Sequence, residues 1–338
     1  MARSTISMRS GPMSDVTIIG AGVAGLWAAR SCLARGLTPR LIDRAGPPGP
    51  HGCSWWAGGM LAPDCEGATA ELPVVVHGRE AADLWADVTR VTRNGTLVLA
   101  PERDRRELDR FAARTDGKTA CDAAAIAALE PDLSGQHRRG LFFAAEAHLD
   151  PRLALSDLAR TLLDAGVVVE IGEAEPATLS GPVIDCRGLA AADDLPGLRG
   201  VRGEMIVLHS DEIALSRPIR LLHPRHPLYV VPRADGLFML GATQIESSAR
   251  GRVTARSALE LLSAAYALDP RFAEAEIVEM GADLRPAFAD HVPRVLRRGR
   301  ILHLNGLFRH GFLMAPALAE QAAEYLLTGK TGDLFDED

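Results

Sequence analysis

Hydrophobic positions in this chain follow two rhythms. Near the N-terminus a β-branched run at 16–19 enters Gly20-Ala21-Gly22-Val23-Ala24-Gly25, and an alanine- and leucine-rich stretch follows as far as Arg35-Gly36. This order predicts a strand, a tight turn and a helix stopped by Gly36. The PRLID segment at 39–43 predicts a second strand, closing a β-α-β unit. Residues 78–93 and 102–114 have helical spacing, with a strand expected at 95–100 between them. A further amphipathic helix is expected at 151–165, with Pro151 in its first turn and Gly166 past its end.

Residues 167–171 and 183–185 are β-branched and read as buried strands, and short strands dominate 201–240. A helix is expected at 255–268, a buried strand at 300–304 and a closing helix at 314–327, with an acidic tail at 333–338 that should fray. Strands alternate with helices at both ends of the chain, around an antiparallel middle. The fold class predicted is α/β, a Rossmann-type dinucleotide-binding domain interrupted by a mainly antiparallel-sheet, α+β second domain. The first domain is expected from 13–77, 145–200 and 287–330, the second from 78–144 and 201–286, with flexible ends at 1–12 and 331–338.

Composition narrows the class further. With 338 residues, 47% hydrophobic and 24% charged, the chain has the make-up of a folded globular protein large enough for two domains. A net charge of -7 offers no basic field for nucleic acid or anionic lipid. The longest apolar stretch, 16–29, is too short to span a bilayer, and the first dozen residues lack the apolar core of a secretory signal. They read as an extension, with Met13 a candidate start. Five cysteines without paired spacing imply reduced thiols, a cytoplasmic setting and no metal site.

Each glycine of the fingerprint has a task. Gly20 permits the tight turn, Gly22 lets backbone approach a pyrophosphate, and Gly25 lets the helix pack on the strand. The helix N-terminus offers unpaired N–H groups to phosphate. Asp43, 18 residues beyond Gly25, is placed for ribose hydroxyls and would repel a 2′-phosphate. The fingerprint alone does not separate NAD from FAD.

Other segments bear on that choice. SWWAGGMLAP at 54–63, VRGEM at 201–205, LYVVPRADGLFMLGAT at 228–243, GADLRP at 281–286 and LFRHGFLMAP at 307–316 occur in this order. Together they resemble the FAD-dependent D-amino-acid oxidase family, and within it the glycine oxidases of thiamine biosynthesis. The resemblance implies an FAD cofactor contacted by Gly20, Gly22, Gly25, Asp43, Arg44 and Ser54. It also implies that Gly58, Gly59 and Met60 pass close to the isoalloxazine ring, where glycines avoid a Cβ clash. Arg309, His310, Gly311 and Phe312 are implied at the pyrimidine edge, where a helix N-terminus favours the charge gained on reduction.

The same resemblance implies that Arg285 and Tyr229 bind the substrate carboxylate, a task that suits the planar guanidinium fork. Trp55 and Trp56 either wall the pocket or simply pack. Where relatives often carry a small residue before glycine, this chain has Asp185-Cys186-Arg187-Gly188, leaving Arg187 to contact phosphate or substrate or to point away.

The activity implied is oxidation of glycine or another small amino acid, by hydride transfer to flavin N5, with O₂ as the final acceptor and hydrogen peroxide as a product. No Ser/His/Asp triad is recognisable, and such an oxidation needs little acid–base machinery. A D-amino-acid or sarcosine oxidase shares the clamp and differs in pocket volume. An NAD-dependent dehydrogenase is disfavoured by the flavin-side motifs, and a non-catalytic flavoprotein module by Arg285. A homo-oligomer and enzymes of thiazole synthesis are further candidate partners.

Overall fold

The computed structural model describes residues 15–337, so the expected extension at 1–12 and the candidate start at Met13 lie outside the described residues. The β-branched run forms the strand Val16–Ile19, buried along its whole length. It pairs in parallel with Pro39–Asp43 on one side and Val183–Asp185 on the other. The sheet extends to seven strands, in the order 335–337, 294–298, 301–305, 183–185, 16–19, 39–43 and 169–171. Only the pair Arg294–Arg298 and Ile301–Asn305 is antiparallel, so the arrangement is the expected Rossmann-type sheet.

The first helix, Val23–Ala34, is buried around most of its surface. Its apolar make-up follows from position: one side meets the sheet, and its other neighbours are the helices Pro151–Asp164 and Gly311–Thr328. Leu26, Trp27, Leu41, Leu158, Leu302 and Met314 belong to this core. The helix Pro151–Asp164 starts where Asp150 Oδ1 accepts from the N–H groups of Arg152 and Leu153, ahead of Pro151 in the first turn.

The second sheet has nine strands and is mainly antiparallel, with one parallel pair between Ile219–Leu221 and Thr96–Leu99. Its long element is Arg199–His209, flanked along its length by Glu276–Ala287. The helix Ala255–Leu268 covers this sheet through Leu261, Ala265 and Leu268, which join Leu97, Ile206, Val230 and Leu240 in a second core.

Besides the burial expected at 167–171, where Val169–Ile171 is an edge strand with Ile171 exposed, three expectations are corrected. The helix expected at 78–93 is shortened to Ala81–Ala86, which follows a separate short helix, Leu72–Gly78. The β-branched residues after Trp85 leave the helix, and Thr92 instead exchanges backbone hydrogen bonds with His148 at 2.8 and 2.9 Å. Val74, Ala81, Ala82 and Trp85 pack in the core of the first sheet, because Trp85 Nε1 donates to the Phe312 carbonyl at 2.7 Å and its ring stacks on Phe312. The helix expected from 102 begins with a 3-10 turn at Glu102–Asp104 and becomes α-helical at Arg106–Arg114.

The tail expected to fray is the third correction. Phe335–Glu337 adds a parallel strand to Arg294–Arg298. Leu334 is 3% exposed, and the Phe335 ring lies 5.1 Å from that of Tyr325. An apolar pair inside an acidic run supplies the burial that a charge count misses. No helix among the described residues is long and apolar enough to cross a membrane.

Candidate active site

A cavity of about 1140 Å³ runs between the two sheets, and the residues expected at a cofactor site, Gly25 excepted, line it. At one end is the glycine turn. Gly20 has φ +101°, and a Cβ there would lie 2.4 Å from the Cys186 carbonyl oxygen. A Cβ on Gly25 would lie 1.7 Å from the Gly20 carbonyl oxygen, so only glycine lets the first helix sit this close. Gly22 faces the cavity, where a Cβ would meet only Ser54 Oγ, at 3.4 Å.

Ser54 Oγ also accepts from the Val23 N–H at 3.2 Å, capping the first helix from a distant loop. Asp43 organises the same turn, with Oδ2 accepting from Ala21 N–H and Oδ1 from Ala45 N–H, both at 2.8 Å. Arg44, exposed, lines the cavity beside it.

Gly58, Gly59 and Met60 also line the cavity. Gly59 has φ +77°, and a Cβ there would lie 2.3 Å from the Leu149 carbonyl oxygen. A Cβ on Gly58 would lie 2.9 Å from Cε2 of Tyr229, so backbone and phenol ring are in direct contact. Trp55 and Trp56 share the guanidinium of Arg152, 4.8 and 5.3 Å from their rings. Trp56 also lines the cavity and covers Gly281, so it both walls and packs.

Tyr229, from the strand Leu228–Pro232, and Arg285, from Glu276–Ala287, line the cavity together. Burial pushes the Tyr229 hydroxyl above its ordinary range. Arg285 Nη2 donates to the Thr243 carbonyl at 2.6 Å, and its guanidinium lies 5.2 Å from the Phe308 ring. Its Nε is enclosed and has no hydrogen-bond partner. Burial, with no carboxylate to offset it, pushes this guanidinium below its ordinary range. A cation so placed can receive a carboxylate from a small molecule.

The turn before the closing helix carries Arg309 and His310, and the helix opens with Gly311 and Phe312, all four lining the cavity. The Phe312 side chain faces the core and only its backbone is available. Arg309 does not stand free. Its Nη2 lies 2.8 Å from Glu66 Oε2, and Arg220 donates to Glu66 Oε1. Burial alone would raise the Glu66 carboxyl, but the Arg309 and Arg220 charges hold it well below its usual range. His310 Nδ1 is 3.4 Å from the same carboxylate, yet burial pushes its pKa down to about 4.

Arg187, left open between three roles, lines the cavity but has its guanidinium held by three carboxylates. It meets Asp185 at 2.8 Å, Asp193 at 3.0 Å and Asp194 at 2.7 Å, while His303 Nδ1 lies 3.1 Å from Asp185. Sequence reasoning missed Glu66, Arg220, Thr243 and Arg233. Arg220 stands opposite Tyr229 in the strand register, a relation visible only once the two strands are paired.

A Rossmann-type sheet with a cavity running from a glycine turn to an unpaired arginine defines a dinucleotide-dependent oxidoreductase. Residues 15–325 match the family described as FAD dependent oxidoreductase, and the chain belongs to it. It is an enzyme, and its cofactor is FAD. The chain is 54% identical over 316 residues to the putative thiamine biosynthesis oxidoreductase ThiO of Rhizobium etli, covering 93% of this chain and 96% of that one. It is 24% identical over 354 residues to the bifunctional protein ThiO/ThiG of Trichormus variabilis, covering 95% of this chain and 54% of that protein. The fold is shared with glycine oxidase from Geobacillus kaustophilus, with a TM-score of 0.80, 20% identity and 96% of both chains covered.

Proposed function

We propose that this protein oxidises glycine or another small amino acid, and that Arg285 and Tyr229 bind the substrate carboxylate. The observation that carries this reading is the buried guanidinium of Arg285, which has carbonyl oxygens and a ring around it but no counter-ion among the described residues. Its planar fork suits a carboxylate, and the Tyr229 hydroxyl supplies a further donor. The relative named for thiamine biosynthesis supports a product, the glycine imine, that feeds thiazole formation. The fused ThiO/ThiG relative supports a thiazole-forming enzyme as partner.

The residues present fit FAD. Gly20, Gly22 and Gly25 with the N-terminus of the first helix would hold the pyrophosphate, and Asp43 and Arg44 the ribose end. Ser54, Gly58, Gly59 and Met60 would lie along the flavin, and the backbone from Arg309 to Phe312 at its pyrimidine edge. When bound, FAD supplies the acceptor for a hydride from the amino acid Cα, and O₂ regenerates it with release of hydrogen peroxide. The chain's own part is to fix the carboxylate at Arg285, so that Cα is held in one orientation. Residues 13–77, 145–200 and 287–330 form the FAD-binding part in this reading, and 78–144 and 201–286 the substrate part.

The test is a visible spectrum of the purified protein, followed by glycine added without oxygen. Bleaching of bound flavin is expected. D-alanine and sarcosine, run beside glycine, decide among the amino-acid oxidases, and a flavoprotein bleached by none of them would not be an amine oxidase.

A further inference from the structure

Arg233 ends the VVPR segment. It lies four residues beyond Tyr229, and both side chains reach the same glycine. The Tyr229 ring packs against Gly58 from one side. Arg233 Nη2 donates to the Gly58 carbonyl at 2.8 Å, and Nη1 to the Leu149 carbonyl at 2.5 Å. Leu149 N–H in turn donates to the Gly59 carbonyl at 2.9 Å. Two of these bonds end on the glycine segment, and the third ties Arg233 to Leu149, the residue that holds Gly59.

The arrangement is unfavourable for the cation itself. The Arg233 side chain is 10% exposed, and its nearest carboxylate, Asp150, is 3.8 Å from Nε. Burial pushes the guanidinium down to about 10. Packing alone does not call for a charge here, since an apolar side chain of similar length would fill the space without the desolvation cost. What the guanidinium provides is a rigid fork spanning two carbonyls, which a flexible ammonium cannot reproduce.

We infer that Arg233 is a positioning residue, bridging the Gly58 and Leu149 carbonyls so that the glycine segment lies at a fixed distance from Tyr229. This rests on the reading that FAD lies along Gly58–Met60 and the substrate carboxylate beside Tyr229. Losing the bridge frees the segment to move against the ring, and cofactor and carboxylate should both bind more weakly.

The holoenzyme is compared with Arg233→Met and Arg233→Lys. Two equilibria are read at a temperature where each protein is folded: dissociation of FAD, and binding of acetate followed by the flavin spectrum. Arg233→Met should weaken each about tenfold or more, the scale of hydrogen bonds to a charged group. Arg233→Lys, able to reach one carbonyl, should fall between. A double-mutant cycle separates positioning from general loss of stability. In the Arg233→Met background, Tyr229→Phe should cost acetate binding clearly less than it does in the parent. Should Arg233→Met not fold, the same cycle is run with Arg233→Lys. Parent-like binding in a folded Arg233 variant, or strictly additive effects with Tyr229→Phe, overturns the inference. A parent that neither holds FAD nor responds to acetate overturns instead the functional reading beneath it.

Discussion

Arg309 places its Nη2 2.8 Å from Glu66 Oε2, while Arg285, lining the same cavity, meets only carbonyl oxygens and the Phe308 ring. Arg309 and Arg285 are therefore not equivalent. Glu66 satisfies Arg309 and Arg220 together, whereas Arg285 is a buried cation with no carboxylate partner among the described residues.

Substitution at Arg285 should show this. A buried carboxylate that loses its partner costs roughly 2–5 kcal/mol, so Arg285→Ala should weaken glycine or acetate about 30-fold or more. Arg285→Lys keeps the charge without the fork and should recover only part of this. Tyr229→Phe should be the mildest, at roughly 1.5–3 kcal/mol for one bond to a charged group. Anaerobic titrations followed by flavin absorbance measure all three. Parent-like glycine affinity in Arg285→Ala would remove the clamp assignment.

Two glycines three residues apart should fail in different ways. A Cβ at Gly25 meets the Gly20 carbonyl at 1.7 Å, so Gly25→Ala should compromise folding itself. At Gly22 the only neighbour is Ser54 Oγ at 3.4 Å, so Gly22→Val should fold and instead obstruct the pyrophosphate. Flavin per mole of protein, with a thermal midpoint for each variant, tells these apart. A fully flavinated Gly22→Val protein would count against the proposed pyrophosphate position.

His310 should make stability depend on pH. Burial, the largest effect, pushes its pKa to about 4 from an ordinary 6.5, against the pull of the Glu66 charge. Between those values the unfolded chain holds a proton that the folded chain does not. Stability is therefore complete above about pH 6.5 and is lost as pH falls toward 4, by on the order of 3 kcal/mol. His148, also pushed to about 4 by burial, adds to the same slope. Urea midpoints at about pH 7 and about pH 5 should converge in His310→Gln, with the His148 share remaining. An unchanged difference would mean that His310 is protonated in the fold.

The β-α-β unit was legible because strand, turn and helix are contiguous, and each glycine answers a local steric demand. Tyr229 and Arg285 were legible only through flanking motifs, since 56 residues separate them and neither stands out by spacing. Glu66 was invisible for a related reason: it meets Arg220 and Arg309 only after a short helix, a strand and a turn have been brought together. The 78–93 pattern misled because apolar residues at helical spacing continue beyond Trp85, while their β-branched shapes favour an extended chain that pairs with His148. Arg187 was ambiguous because its three carboxylate partners lie within seven residues, and only the turn at Gly188–Asp193 aims them all at one guanidinium.

The C-terminal strand gives a prediction that concerns stability alone. Leu334 is 3% exposed within the first core, its carbonyl accepts from Val295 N–H at 2.8 Å, and its N–H donates to Gln321 Oε1 at 3.0 Å. Asp336 pairs with Arg294 at 2.9 Å, near the surface, where such a contact contributes little. The burial of Leu334 and Phe335 therefore dominates over the charges around them. Leu334→Ala should cost roughly 2–5 kcal/mol, as for other buried leucines, and Asp336→Asn less than about 1 kcal/mol. Residues 334–337 do not line the cavity, so the flavin content of folded protein should not change. Denaturant midpoints and flavin absorbance, measured on the same samples, test both statements. A tail that frays in solution would leave the Leu334→Ala midpoint equal to the parent's, and the strand pairing at 335–337 would then not persist.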